Sequence, residues 1–175
     1  MTINTVGAPL VTGSGLAGKY MTFRLASEEY GLEILKVREL IGFMDITRVP
    51  RAPAHVRGVI NLRGKVIPVV DLRLKFEMEA TDPTSQTVII VVQLGHPSGG
   101  LTMGILVDEV LEVRAIGADD IEPPPNLQAE LAASFILGVG KAEKRVIFLL
   151  DIDRVLTPEE QRPLRDLAQP ALAGP

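Results

Sequence analysis

Gly58-Val-Ile-Asn-Leu-Arg-Gly-Lys-Val-Ile-Pro-Val-Val-Asp-Leu72 aligns without a gap on Gly138-Val-Gly-Lys-Ala-Glu-Lys-Arg-Val-Ile-Phe-Leu-Leu-Asp-Ile152, at a constant offset of 80 residues. Five of the fifteen positions are identical (Gly58/Gly138, Val59/Val139, Val66/Val146, Ile67/Ile147 and Asp71/Asp151), where average composition gives about one. Upstream, Lys19–Leu25 corresponds in position to Thr87–Leu94, and Gly31–Leu35 to Leu101–Leu106. A chain that writes one unit twice is expected to fold as two similar subdomains packed together. Their approximate bounds are 18–80 and 86–156, joined by the polar, proline-containing Glu79–Ser85.

Each unit reads as strands. Met21, Phe23 and Leu25 alternate with Tyr20, Thr22 and Arg24, the period-two pattern of a sheet with one buried and one wet face. Val88–Val92 and Val146–Leu150 are apolar at every position, as expected where one face fills a barrel and the other meets the neighbouring subdomain. Pro68 cannot donate a ladder hydrogen bond, which places it at an edge, bulge or corner. Ile34, Val37 and Ile41 fit either a strand or a helical stripe. Pro53–Arg57 is expected to form one helical turn. Thr157-Pro-Glu-Glu160 combines an N-cap, a proline at the first helical position and a capping-box glutamate, so residues 157–175 should hold a short C-terminal helix and tail, with Pro163 interrupting anything longer. The expected fold is all-β: two packed five-stranded SH3-like barrels with short helical turns.

Residues 1–17 are Gly, Thr, Ser, Ala and Val-rich with no positive charge before Lys19, which reads as a flexible tail and not a secretory signal. A net charge of −4, without a basic run interleaved with aromatics, argues against nucleic acid as a partner. The absence of cysteine removes disulfides, thiolate nucleophiles and cysteine-ligated metals, and fits a cytoplasmic setting.

No constellation for catalysis stands out, and no cofactor is expected. His55 and His96 lack companions at metal or triad spacing; His96 reads as part of a hairpin loop, His55 as a plain loop residue or a surface contact. Asp71 and Asp151 occupy equivalent repeat positions and are expected to accept backbone hydrogen bonds at strand ends, in preference to acid–base work. Pro123-Pro-Pro125 reads as a stiff connector. The halves differ most at Asn61-Leu-Arg-Gly64, which faces Lys141-Ala-Glu-Lys144 in the alignment. A turn there would point Arg63 outward, either solvated or meeting a carboxylate or carbonyl on a partner.

Tyr30-Gly-Leu-Glu-Ile-Leu-Lys-Val-Arg-Glu39, Asn61-Leu-Arg-Gly64 followed by Ile67-Pro-Val-Val-Asp-Leu72, and Gly104-Ile-Leu-Val-Asp-Glu-Val110 closely resemble the CheW family of chemotaxis coupling proteins across residues 19–156. The resemblance implies a non-catalytic adaptor that joins the cytoplasmic tips of chemoreceptors to the regulatory domain of the histidine kinase CheA, in the cytoplasm at membrane-associated receptor arrays. It implies a receptor-facing groove including Val37, Glu39, Arg63, Val88 and Val113, with Gly58 close to the same surface, and a kinase contact at barrel edges where Phe43, Ile46 and Val49 lie. The same fold could serve a non-motility pathway, and a small ligand-binding barrel using Asp71, Asp151 or His55 is the competing reading.

Overall fold

The structure, a computed structural model, describes residues 13–95, 100–123 and 135–167, so His96 and most of the Pro123–Pro125 segment lie outside the described residues. A helical turn α1 (Gly13–Leu16) precedes strands β1 (Gly18–Leu25) and β2 (Glu28–Glu33). A 3-10 turn, Ile34–Lys36, leads to β3 (Val37–Gly42), then β4 (Val56–Leu62), β5 (Lys65–Asp71) and the short helix α2 (Leu72–Lys75). The second half runs β6 (Val88–Leu94), β7 (Leu101–Val107), β8 (Glu109–Ile116), β9 (Ile121–Glu122), β10 (Ile136–Ala142), β11 (Arg145–Leu150), α3 (Ile152–Val155) and α4 (Pro158–Leu167).

The strands form two sheets, ordered β8-β1-β2-β11-β10-β9 and β3-β6-β7-β5-β4. Sheet membership therefore does not follow the expected division into 18–80 and 86–156. Each sheet takes the first two strands of one repeat and the later strands of the other. The exchange obeys a pseudo-twofold: β1 pairs antiparallel with β8 as β6 does with β3, and β2 pairs parallel with β11 as β7 does with β5. Both edge pairs carry one bulge at the same place, after Thr22 against Glu112 and beside Val91 against Glu39. After β3 the chain returns to β4, where Thr47 and Val59 exchange hydrogen bonds of 2.9 and 2.8 Å. After β8 it returns through β9 to β10, with Glu122 against Val139. These returns curl each sheet into a barrel, and β9 is why the first sheet counts six strands rather than five.

Three apolar clusters follow from this wrapping. Tyr20, Ile116, Ile147 and Leu149 fill the first barrel, and Ile60, Ile67, Val69 and Ile89 the second. The largest cluster lies between the sheets and joins Phe23, Leu25 and Leu32 to Ile90, Val92, Met103 and Ile105. Burial of one such side chain contributes about 1.5–3 kcal/mol, so apolar packing between the sheets outweighs that inside either barrel.

Several expectations are corrected. Of the face of β1 expected to be wet, only Arg24 meets solvent: Tyr20 and Thr22 are as buried as Phe23 because they point into the first barrel. Their hydroxyls stay satisfied, Tyr20 Oη donating to the Leu16 carbonyl at 2.6 Å and Thr22 Oγ1 to that of Glu112 at 3.0 Å. Leu16, expected in the tail, packs in that barrel. Pro53–Arg57 is a turn closed by Val56 N–H on the Pro53 carbonyl at 3.0 Å, because β4 already begins at Val56. Ile34–Gly42 resolves into a 3-10 turn followed by a strand. Pro68 pairs with Val59 of β4 only, since the β5–β7 ladder starts at Val69, and the donor it lacks is not missed. α4 continues through Pro163, which sits on its exposed side, where water can serve the carbonyl left without a partner. Its start is a capping box: Glu160 N–H donates to Thr157 Oγ1 at 3.1 Å and Thr157 N–H to Glu160 Oε1 at 2.8 Å.

Candidate functional site

Arg63 and Gly64 form the two-residue turn between β4 and β5, both with positive φ (53° and 88°), the geometry whose twist suits a hairpin. Asn61 Oδ1 accepts the Gly64 N–H at 2.8 Å and locks the turn. The turn aims Arg63 at β3, where its Nη2 donates to both oxygens of Glu39, at 2.8 and 2.9 Å. Arg63 remains 71% exposed and Glu39 is 30% exposed. The hydrogen bond and the charge of Glu39 hold the guanidinium above its ordinary value. The pair stands at an open cleft at the mouth of the second barrel, floored by Ile67 and Val91 and flanked by Arg38 and Lys65. Gln93 completes it, accepting from Thr102 Oγ1 at 2.9 Å and Arg38 Nη2 at 3.3 Å. Three cations face one carboxylate, so the cleft favours a partner with acidic or carbonyl groups.

The pseudo-twofold supplies an internal control. Glu112 stands where Glu39 does, Glu143 where Arg63 does and Arg145 where Lys65 does. There the charges close on one another. Arg114 meets Glu112 at 3.1 Å and Glu143 at 3.6 Å, while Arg145 meets Glu112 at 3.3 Å and Glu29 at 3.4 Å. One barrel mouth presents a glutamate, Glu143, and shares Glu112 between two arginines; the other presents an arginine held by Glu39 alone.

The remaining expected residues divide by face. Val37 lies opposite Val92, and Val88 opposite Gly42 and Val107; both pack against the central cluster, on the face of the sheet turned away from Glu39 and Arg63. Val113 is in the other sheet, on β8 opposite Met21, and is 50% exposed. Leu40, on β3 opposite Ile90, is its repeat counterpart and is also exposed, which the sequence reading missed although the repeat could have paired the two. Gly58 is buried. Its φ is +145°, and a Cβ there would lie 2.1 Å from the Thr47 carbonyl oxygen, so its role is to let the chain close the barrel. Phe43, Ile46 and Val49 share an open depression of about 560 Å³ with Arg48 and Arg57, between β3 and β4.

The residues of the competing reading have structural employment. Asp71 Oδ1 caps α2 by accepting Arg73 and Leu74 N–H, and Oδ2 takes Arg57 Nη1 at 2.8 Å. Asp151 caps α3 through Asp153 N–H, and burial raises its carboxyl above the ordinary value. Even their backbones match: Asp71 N–H bonds the His55 carbonyl and Asp151 N–H that of Phe135. Among the described residues no group of three His, Asp or Glu side chains is arranged to hold a metal, and no helix is long and apolar enough to cross a membrane.

Residues 19–160 match the family described as CheW-like domain. The chain is 36% identical to the chemotaxis protein CheW of Klebsiella aerogenes over 93% of its own length and 98% of that protein's. It is 39% identical to the chemotaxis protein CheW of Rhizobium meliloti, covering 81% and 88%. Among solved structures, the scaffolding protein TtCheW from Thermoanaerobacter tengcongensis superposes with a TM-score of 0.73 at 33% identity, covering 82% of this chain and 95% of that one.

Proposed function

The chain belongs to the CheW family of chemotaxis scaffold proteins, which are not enzymes, and on that premise we propose that it couples the cytoplasmic tips of chemoreceptors to the histidine kinase CheA. The observation that carries this reading is the contrast between the two barrel mouths. Glu39 and Arg63 present an outward arginine at an open cleft, while at the matching place an outward glutamate, Glu143, stands for Arg63 and Glu112 is shared by Arg114 and Arg145. A receptor helix would set its register on Arg63 and Glu39, because charged contacts fix orientation more than they add affinity. Val37, Val88 and Val113 lie on the faces turned to the seam between the sheets and would make a separate apolar contact there, away from the Glu39–Arg63 cleft, and Gly58 acts through the backbone that shapes the barrel. In the cell the protein would work in the cytoplasm, recruited to membrane-associated receptor arrays. The regulatory domain of the kinase would dock separately, at a barrel edge.

The test is co-sedimentation of the protein with its organism's kinase and with receptor-containing membranes, omitting each component in turn. Kinase should reach the membranes only when this chain is present. Arg63→Glu should keep the wild-type unfolding midpoint and lose membrane recruitment. Kinase sedimentation independent of the chain would overturn the coupling role, and unfolding of Arg63→Glu would make Arg63 a structural residue.

A further inference from the structure

His55 sits in the turn before β4 with its side chain 13% exposed, and its Nε2 is shielded from solvent without a hydrogen-bond partner among the described residues. Buried polar atoms in folded proteins are nearly always paired, so an unpaired titratable nitrogen needs a physical account. Two charged groups face it. From α4 comes the Glu160 carboxylate, with Oε2 3.8 Å from Nε2; from α2 comes the Lys75 ammonium, which holds Glu160 at 2.8 and 2.9 Å. Asp71 meets His55 through its backbone N–H, its carboxylate being turned to Arg57 and to the α2 amides.

Glu160 is thus shared. It closes the capping box that starts α4, and it ties α4 to α2 through Lys75. The helix buries Leu164 in the central cluster, and Gln161 Nε2 donates to the Leu156 carbonyl at 3.0 Å. A proton on His55 would put a second cation beside a carboxylate already neutralised by Lys75, at a nitrogen that is itself shielded from water.

We infer that the seat of α4 on the second barrel is a proton-sensitive latch, closed while His55 is neutral and loosened when His55 takes up a proton. Burial is the largest influence and pushes His55 below its ordinary value of 6.5; Glu160 opposes this and Lys75 adds to it. The sign follows. With α4 seated, His55 resists protonation; with α4 lifted, it titrates near the ordinary value. Seating is therefore fully favoured above pH 6.5 and weakens as pH falls below it.

The test is amide hydrogen exchange of the whole chain between pH 5.5 and 7.5, corrected for intrinsic exchange, reading residues 158–167 against β6. In the wild type the protection of α4 should fall with acidification, by at most about tenfold per pH unit, the limit for one proton, while β6 stays constant. His55→Gln should abolish the dependence. Lys75→Met, which removes the repelling cation, should bring the seated His55 back towards its ordinary value and so shrink the pH dependence, a second readout if His55→Gln folds poorly. Wild-type protection independent of pH, the same dependence in His55→Gln, or an undiminished dependence in Lys75→Met would overturn it.

Discussion

Replacing Gly58 by alanine separates a residue that shapes the barrel from one that touches a partner. The new Cβ would fall 2.1 Å from the Thr47 carbonyl oxygen, 2.7 Å from its carbon and 2.9 Å from Ile46 Cγ2, and two of those three atoms are backbone. The segment around Thr47 must retreat, which breaks the paired hydrogen bonds to Val59. Two such bonds are worth about 1 kcal/mol each, and an L-residue held at φ +145° adds about 1–3 kcal/mol of backbone strain. The sum, about 3–5 kcal/mol, corresponds to a fall in Tm of roughly 6–20 °C for a chain of this size. Thermal unfolding followed by circular dichroism measures it. Gly64→Ala is the control, since its φ is also positive but a Cβ there meets nothing within 4 Å; it should cost only about 1–2 kcal/mol. If Gly58→Ala melted within about 2 °C of the wild type yet lost partner binding, the close-approach argument would fail and the glycine would be part of the contact surface.

Three further outcomes are expected. Val88→Asp places a carboxylate against the central cluster and should cost about 1–3 kcal/mol in urea unfolding without any partner present; an unchanged midpoint would remove Val88 from the seam. Burial pushes both tyrosines, Tyr20 and Tyr30, up to about 12, so phenolate absorbance should stay silent through pH 10. Because these acid pKa values are raised, the stability they contribute is complete below pH 10 and is lost as pH rises towards 12; early, reversible ionisation of either in the folded chain would contradict the packing. Fragments 1–80 and 86–175 should each lack a cooperative transition and regain one when co-expressed, because β1 and β2 pair with β8 and β11; native-like protection of β1 in fragment 1–80 alone would refute the exchange.

That last expectation marks where the sequence stopped being readable. The repeat, the strand periodicity, the caps at Asp71 and Asp151 and the α4 capping box are local patterns, and each has its local physical cause. Which repeat supplies the partner of β2 is not local. Gly31 lies under Ile147 and Leu149, and Gly104 under Ile89 and Val69. An unexchanged barrel would offer Gly31 the repeat equivalents Ile67 and Val69 instead, aliphatic side chains in the same phase. Nothing in composition or spacing separates the two choices, so contiguous subdomains were the natural expectation. The buried second face of β1 was hidden for a related reason, since Tyr20 and Thr22 read as polar but spend their hydroxyls on backbone carbonyls.

The candidate site shows the opposite balance. Divergence between Asn61–Gly64 and Lys141–Lys144 was visible in the alignment, and it falls where the two barrel mouths differ. What the alignment could not supply was the partner of Arg63, because Glu39 lies 24 residues earlier on a strand that is not a ladder neighbour of β4 or β5. The same divergence of charge runs through the sheet crossovers. Arg73 binds Asp108, which also accepts the Ala26 N–H; at the matching place Asp153 binds Lys36 and accepts the Gly95 N–H. Donor and acceptor have traded sides while the geometry is kept. Paired charges of this kind can exchange sign with little consequence for packing, since each crossover keeps one cation and one carboxylate. At the Glu39 cleft the trade was not completed: Glu112 kept its sign while Arg63 became Glu143, so the first barrel needed Arg114 and Arg145 to balance two carboxylates. That left the second barrel as the one mouth whose arginine is held by a single acid and still faces outward.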